Sequence, residues 1–231
     1  LSWPDDYFSF YGELSYQLYM LKDWPYMILT DGNSHNLALN LQLSRSSIDN
    51  PIYTRRGSQF TLGLKITPPY SLIKGTTDAQ YAQMTTSEKY NLLEYHKWRF
   101  SGKVFTPLTQ DAKLILMTRA EFGYLGHYNK NAKSPFETFY MGGDGMSSYS
   151  SYSTEYISMR GYQSGSLTPY DPAVGRNMGY VYNKFTMELR YPISLEQNAT
   201  IWALAFVEAG NCFADIKDYN PFNLKRSAGV G

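Results

Sequence analysis

Asn36-Leu37-Ala38-Leu39-Asn40-Leu41-Gln42-Leu43-Ser44 places leucine at every odd position and a small or polar residue at every even one. A strand turns successive side chains to opposite faces, whereas a helix would mix these two sets, so the stretch predicts a strand with one apolar and one polar face. The same alternation runs through Gln59-Phe60-Thr61-Leu62-Gly63-Leu64-Lys65-Ile66-Thr67 and through Lys97-Trp98-Arg99-Phe100-Ser101-Gly102-Lys103-Val104. In Lys184-Phe185-Thr186-Met187-Glu188-Leu189-Arg190-Tyr191 the split is complete. Three less regular segments complete the set: Phe8 to Leu21, Lys113 to Tyr124 and Thr200 to Phe213. In the second of these Arg119 and Glu121 share one face, while Leu116, Ala120, Phe122 and Tyr124 lie on the other.

Each segment is roughly ten residues or a little longer, the length of a tilted strand that crosses a bilayer. Strands of soluble proteins are shorter, about five or six residues. Connection lengths point the same way. A short turn with Pro107 joins the strand ending near Thr106 to the one starting near Lys113, and another, Ser194 to Asn198, follows Pro192. Long connections run from Thr67 to Leu93, from His127 to Tyr180 and from Asn211 to Lys225. Short turns at one end and long loops at the other are the pattern of an outer-membrane barrel, with the long loops outside the cell. Aromatic residues are expected at strand ends, in the bilayer interfaces: Trp24 and Tyr26, Tyr70, Tyr95, Tyr124 and Tyr191.

If the apolar face meets lipid, then Glu13, Gln17, Gln42, Lys65, Lys97, Arg99, Lys103, Arg119, Glu121, Glu188 and Arg190 point inward. An unpaired buried charge is prohibitively costly, so that interior is wet or salt-bridged and the barrel is wide. A small soluble barrel would fill its inside with Leu, Ile and Val.

Composition fits this class and excludes others. The 231 residues include 22 Tyr, aromatics make up 16% and charged residues 18%. A formal net charge of +1 gives no electrostatic footprint for nucleic acid. The one cysteine, Cys212, rules out an internal disulfide and reads as a small apolar strand residue. No apolar run approaches the roughly 20 residues of a membrane helix, which says nothing against strands. The chain opens at Leu1 with no initiator Met or leader and closes at Gly231 in a new strand, so it is read as a segment of a longer protein.

The search for chemistry finds little. Gly142-Gly143-Asp144-Gly145 lacks the Lys-Ser/Thr of a phosphate-binding loop, and its glycines, Gly142 and Gly143 first, read as a hinge where the loop folds back. His35, His96 and His127 lie far apart without metal-ligand spacing, and no nucleophile stands with a base and an orienting acid. Asp5-Asp6 reads as a solvated turn, and Asn198-Ala199-Thr200 as a chance glycosylation triplet. Arg160 is different. It stands between Met159 and Gly161-Tyr162 in a loop long enough to re-enter a wide lumen, where Glu188 and Glu208 are candidate partners. Arginine suits that task, because its planar fork grips carboxylates bidentately and keeps its charge. Strict alternation puts Glu208 on the same face as Trp202, Leu204 and Phe206, which sets its inward direction against theirs.

Gly142-Gly143, Arg160-Gly161-Tyr162, Thr186 to Pro192 and Phe206-Val207-Glu208-Ala209-Gly210-Asn211 together resemble the superfamily of outer-membrane assembly and secretion pores, and within it the BamA-type assembly factors. Ser47-Ile48-Asp49-Asn50-Pro51 with Arg56-Gly57-Ser58 is similar to Bacteroidetes-type members. The resemblance spans the whole chain, from about the seventh barrel strand into the fourteenth. It implies an all-β fold, a transmembrane antiparallel β-barrel of sixteen strands in the full protein, with residues 1–231 forming about half, loop 127–180 outside the cell and POTRA domains upstream. It implies that the loop arginine pairs inside the barrel with acids of the following strands, here Arg160 with Glu188 and Glu208. The chain departs from the pattern at Tyr162, where many members have Phe, and at Glu208, where many have Asp.

The implied function is folding and insertion of β-barrel proteins into the outer membrane of a Gram-negative bacterium, without enzymatic chemistry, metal or cofactor. The implied partners are unfolded outer-membrane protein clients, accessory assembly-machinery lipoproteins, and outer-membrane lipid and lipopolysaccharide. The alternatives are a translocation pore of the same superfamily, in two-partner secretion or TamA-like, and a porin or transporter. A soluble β-sandwich is the rival outside the membrane.

Overall fold

The computed structural model describes residues 6–23, 28–145, 154–172, 175–196 and 198–231. Trp24 and Tyr26, expected at a strand end, and Asp5 of the expected turn lie outside this set. Five strands come first: β1 Phe8–Leu21, β2 Gly32–Ser46, β3 Gly57–Ile66, β4 His96–Pro107 and β5 Ile115–Gly126. Four short strands follow in the long loop, β6 Thr138–Met141, β7 Thr154–Ile157, β8 Tyr170–Asp171 and β9 Arg176–Asn177. The wall then resumes with β10 Val181–Glu196, β11 Ala199–Phe213 and β12 Lys225–Val230.

The wall is one antiparallel sheet in the order β1-β2-β3-β4-β5-β10-β11-β12, so each wall strand pairs with the next one along the chain. The fold is all-β, and the sheet is open at β1 and β12. Wall strands reach 14, 15, 16 and 15 residues in β1, β2, β10 and β11, longer than the roughly 9–11 residues that span a bilayer. One end of the sheet carries the connections 47–56, 108–114 and 197–198, and the other carries 22–31, 67–95, 127–180 and 214–224. The 67–95 connection holds three short helices, α1 Tyr70–Lys74, α2 Asp78–Gln83 and α3 Thr86–Lys89. Capping boxes start α2 at Thr77 with Gln80 and α3 at Thr85 with Glu88.

The two faces of the sheet separate as the alternation predicts. Leu14, Leu18, Leu43, Leu62, Trp98, Phe185, Met187 and Tyr191 are exposed on the outer face. A continuous apolar surface of this kind is avoided by soluble monomers and suits lipid. Lys97, Lys184, Thr186, Glu188 and Glu208 are buried on the inner face.

Two expectations need correcting, and the tension over the direction of Glu208 is resolved. Tyr95 is no interfacial residue: it is fully buried on the inner side, and its hydroxyl donates to Asn36 Oδ1 at 3.1 Å. Tyr70 is the first residue of α1 and marks no strand end. In β11 the large apolar residues share the inner side with Glu208: Trp202 packs on Tyr53, and Phe206 lies under Arg160, while Ala203, Ala205 and Val207 face out. Burial of those rings against loop and turn residues outweighs their affinity for lipid.

Two apolar clusters fill the inner side. Leu93, Tyr95, Leu125, Phe136, Phe139, Met141, Ile157, Met159, Met178, Tyr180, Tyr182 and Cys212 pack the long-loop half. Tyr53, Phe105, Ala112, Ile115 and Met117 pack the short-turn half. The wall charges lie level with both clusters, Lys97 pairing with Leu125 of the first and Glu188 and Arg190 with Met117 and Ile115 of the second.

Candidate functional site

The long loop leaves β5 at Gly126, runs along the inner side of the sheet and returns to the wall at Val181. Its β6 and β7 pair in parallel, and Phe139 bridges to Gly179. Gly142 and Gly143 then turn the chain at φ values of 131° and 87°. A Cβ at Gly142 would fall 2.3 Å from Gln163 O, and one at Gly143 would strike the Tyr156 hydroxyl. Only glycine fits there. The turn closes on the arginine segment: Met159 N donates to Gly143 O at 2.8 Å, and Gly143 N donates to Tyr162 O at 2.9 Å.

Arg160 is thereby aimed at the wall of β10 and β11. Its Nε and Nη2 donate to Glu208 Oε1 at 3.0 and 2.8 Å, its backbone N donates to Glu208 Oε2 at 2.8 Å, and Nη2 also donates to Glu188 Oε1 at 2.7 Å. The guanidinium lies 3.6 Å from the centre of the Phe206 ring. Phe206 is the cross-strand partner of Glu188, so the cation is boxed by one ring and two carboxylates. The wall supplies its own cations as well. Arg190 Nε and Nη2 donate to Glu188 Oε2 at 2.9 and 2.6 Å, and Lys184 Nζ lies 3.2 Å from Glu208 Oε1 and donates to Ser158 O. Burial lowers the proton affinity of Arg160, and its bonds to Glu208 and Glu188 more than restore it, holding the group above the ordinary arginine range. Gly161 follows at φ 84°, and the Tyr162 hydroxyl donates to Arg226 O of β12 at 2.9 Å. A phenylalanine at 162 could not make that bond.

A second charged contact lies across the sheet, on β3 and β4. Lys97, 3% exposed at its side chain, sits between Glu137 Oε2 at 3.0 Å and Glu155 Oε2 at 2.8 Å, both from the loop. Lys65 also binds Glu137, and Arg99 Nη1 donates to Glu155 Oε1 at 3.0 Å. The Phe139 ring lies under the Lys97 ammonium at 4.9 Å. Burial raises both carboxyls, but the neighbouring cations prevail: Lys97 and Lys65 hold Glu137 below the ordinary range, and Lys97 and Arg99 do so for Glu155. Glu137 has a φ of 67°, uncommon for a residue with a Cβ.

Sequence reasoning placed Arg160, Glu188 and Glu208 together and missed Glu137 and Glu155. The signal available was a demand rather than a motif, since inward Lys65, Lys97 and Arg99 require anions. Register turns that demand into a site. Lys65 pairs directly with Lys97 and Gly63 with Arg99, and no sequence pattern states such a pairing. His35 stacks on Tyr16, and His96 lies against Tyr124 and Tyr128. No group of three His, Cys, Asp or Glu among the described residues could hold a metal.

The Omp85 superfamily domain matches residues 5–231. In structure the chain is similar to BamA from Haemophilus ducreyi lacking POTRA domains 1–3, with a TM-score of 0.64 and 16% identity over 98% of this chain. The match covers 45% of that protein, so the chain spans under half its length. No curated protein sequence matches the chain.

Proposed function

The chain belongs to the Omp85 superfamily, and from that premise we propose that it is part of an outer-membrane assembly factor that folds and inserts β-barrel proteins. The observation that carries this reading is Arg160, delivered by the Gly142-Gly143 loop to Glu188 and Glu208 on adjacent wall strands. A loop fixed inside the wall braces the barrel while its edge strands separate. A diffusion porin has no use for such a brace. Insertion needs no covalent chemistry: an open strand edge offers backbone groups to which a client strand adds, satisfying hydrogen bonds that lipid cannot. The reading places the protein in a Gram-negative outer membrane, with sixteen strands and upstream POTRA domains in its full length. Unfolded barrel clients are its substrates, and accessory lipoproteins its partners.

Full-length protein in vesicles of outer-membrane lipid, offered an unfolded eight-stranded barrel, tests this directly. A protease-resistant, heat-modifiable client in the bilayer is the expected product. Passage of a soluble polypeptide into the vesicle interior without client insertion would favour the translocation pore and overturn the assembly reading.

A further inference from the structure

The two charged contacts of the loop differ in what the wall would be without it. On β10 and β11 the wall is balanced by itself, with Lys184 and Arg190 against Glu188 and Glu208. On β3 and β4 it is not. Lys65 and Lys97 face each other directly across the strands, and Arg99 lies two residues further along the same face. Like charges in directly opposed positions repel, and burial of Lys97 sharpens the cost. Among the described residues the carboxylates that bind these three cations are Glu137 and Glu155.

We propose that Lys65, Lys97 and Arg99 form a two-carboxylate socket on the inner wall, and that Glu137 and Glu155 are positioning residues that seat the loop there independently of Arg160. The backbone at Glu137 is bent into the left-handed region to deliver its carboxylate between two ammonium groups, a conformation that persists only where surrounding contacts compensate it. Glu155 arrives from β7, which pairs with β6 immediately after Glu137, so both acids ride on one small sheet. A polar cavity of about 290 Å³ adjoins the contact, lined in part by Tyr11, Glu13, Asn40, Lys65, Lys97 and Glu137. The socket's role in client insertion rests on the assembly function proposed above; its existence as a separate anchor does not.

Hydrogen exchange of the full-length protein in lipid, followed at 138–141 and 154–157, separates the two parts. Glu137→Gln/Glu155→Gln should speed exchange there about tenfold while leaving 159–162 protected; Arg160→Ala should do the reverse. Adding Lys97→Met to the double variant removes a stranded cation, so heat stability should recover while the loop stays released, which keeps the test usable if the double variant folds poorly. Unchanged exchange at 138–141 and 154–157 in the triple variant would overturn the anchor. A released loop with unchanged client insertion would overturn its functional part and spare the anchor.

Discussion

The Arg160 contact and the Glu137/Glu155 contact contain the same charges, three cations and two carboxylates, distributed in opposite ways. At the first the loop supplies one cation to a wall that is already neutral. At the second it supplies both anions to a wall that is otherwise entirely cationic. Burial differs too: the Glu208 and Glu188 side chains are 1% and 7% exposed, while those of Glu137 and Glu155 are 22% and 24%. Arg160 holds Glu208 by two guanidinium bonds and its own backbone N–H, which tolerates little displacement, whereas the Lys65 and Lys97 ammonium groups act as point charges and follow a moving partner. The first contact therefore fixes geometry, and the second neutralises charge.

The comparison is broken most severely at Glu208. Glu208→Gln leaves Arg160 and Lys184 short of a buried anion, with an expected cost of about 3–5 kcal/mol. The temperature at which the compact barrel converts to the slow-migrating form on a gel should fall clearly. Lys97→Met is the matched change on the other side. It leaves Glu137 with Lys65 and Glu155 with Arg99, so charge stays balanced and the cost should stay within about 1 kcal/mol by the same assay. Equal losses from the two variants would erase the distinction.

The smallest effect is on pH. Glu137 and Glu155 are held below the ordinary glutamate value, so their contribution is complete above about pH 4.3 and is lost as pH falls through the lowered values. Lys65, Lys97 and Arg99 face these carboxyls from β3 and β4, Glu13 of β1 lines the adjoining cavity, and Tyr19, Tyr95 and Tyr182 lie nearby. Proteolysis of the loop should therefore rise below pH 4 and stay flat from pH 5 to 8.

Much of this was legible in the sequence. Alternation in Asn36 to Ser44 and Lys184 to Tyr191 sorted the faces correctly, because lipid on one side and paired charges on the other leave each residue one stable direction. In the less regular β11 the shared face of Glu208, Trp202, Leu204 and Phe206 was legible but its direction was not: that face is the inner one, where Trp202 packs on Tyr53 and Phe206 under Arg160, partners that arrive from a distant turn and loop. Tyr95 misled for the same reason, its hydroxyl being satisfied by Asn36 rather than by an interface. The arginine site was readable because its residues lie in recognisable segments. The Glu137/Glu155 site was not, since it exists only through the opposition of Lys65 and Lys97 and the path of a loop that no periodicity describes.

The central claim is that Arg160 and Glu208 act as one unit holding the loop to the wall. A double-mutant cycle with Arg160→Ala and Glu208→Ala, read as the unfolding free energy of the full-length protein in lipid, tests it most directly. The predicted result is a coupling of about 1–3 kcal/mol, the double variant being barely less stable than the worse single one; strictly additive losses would contradict the account.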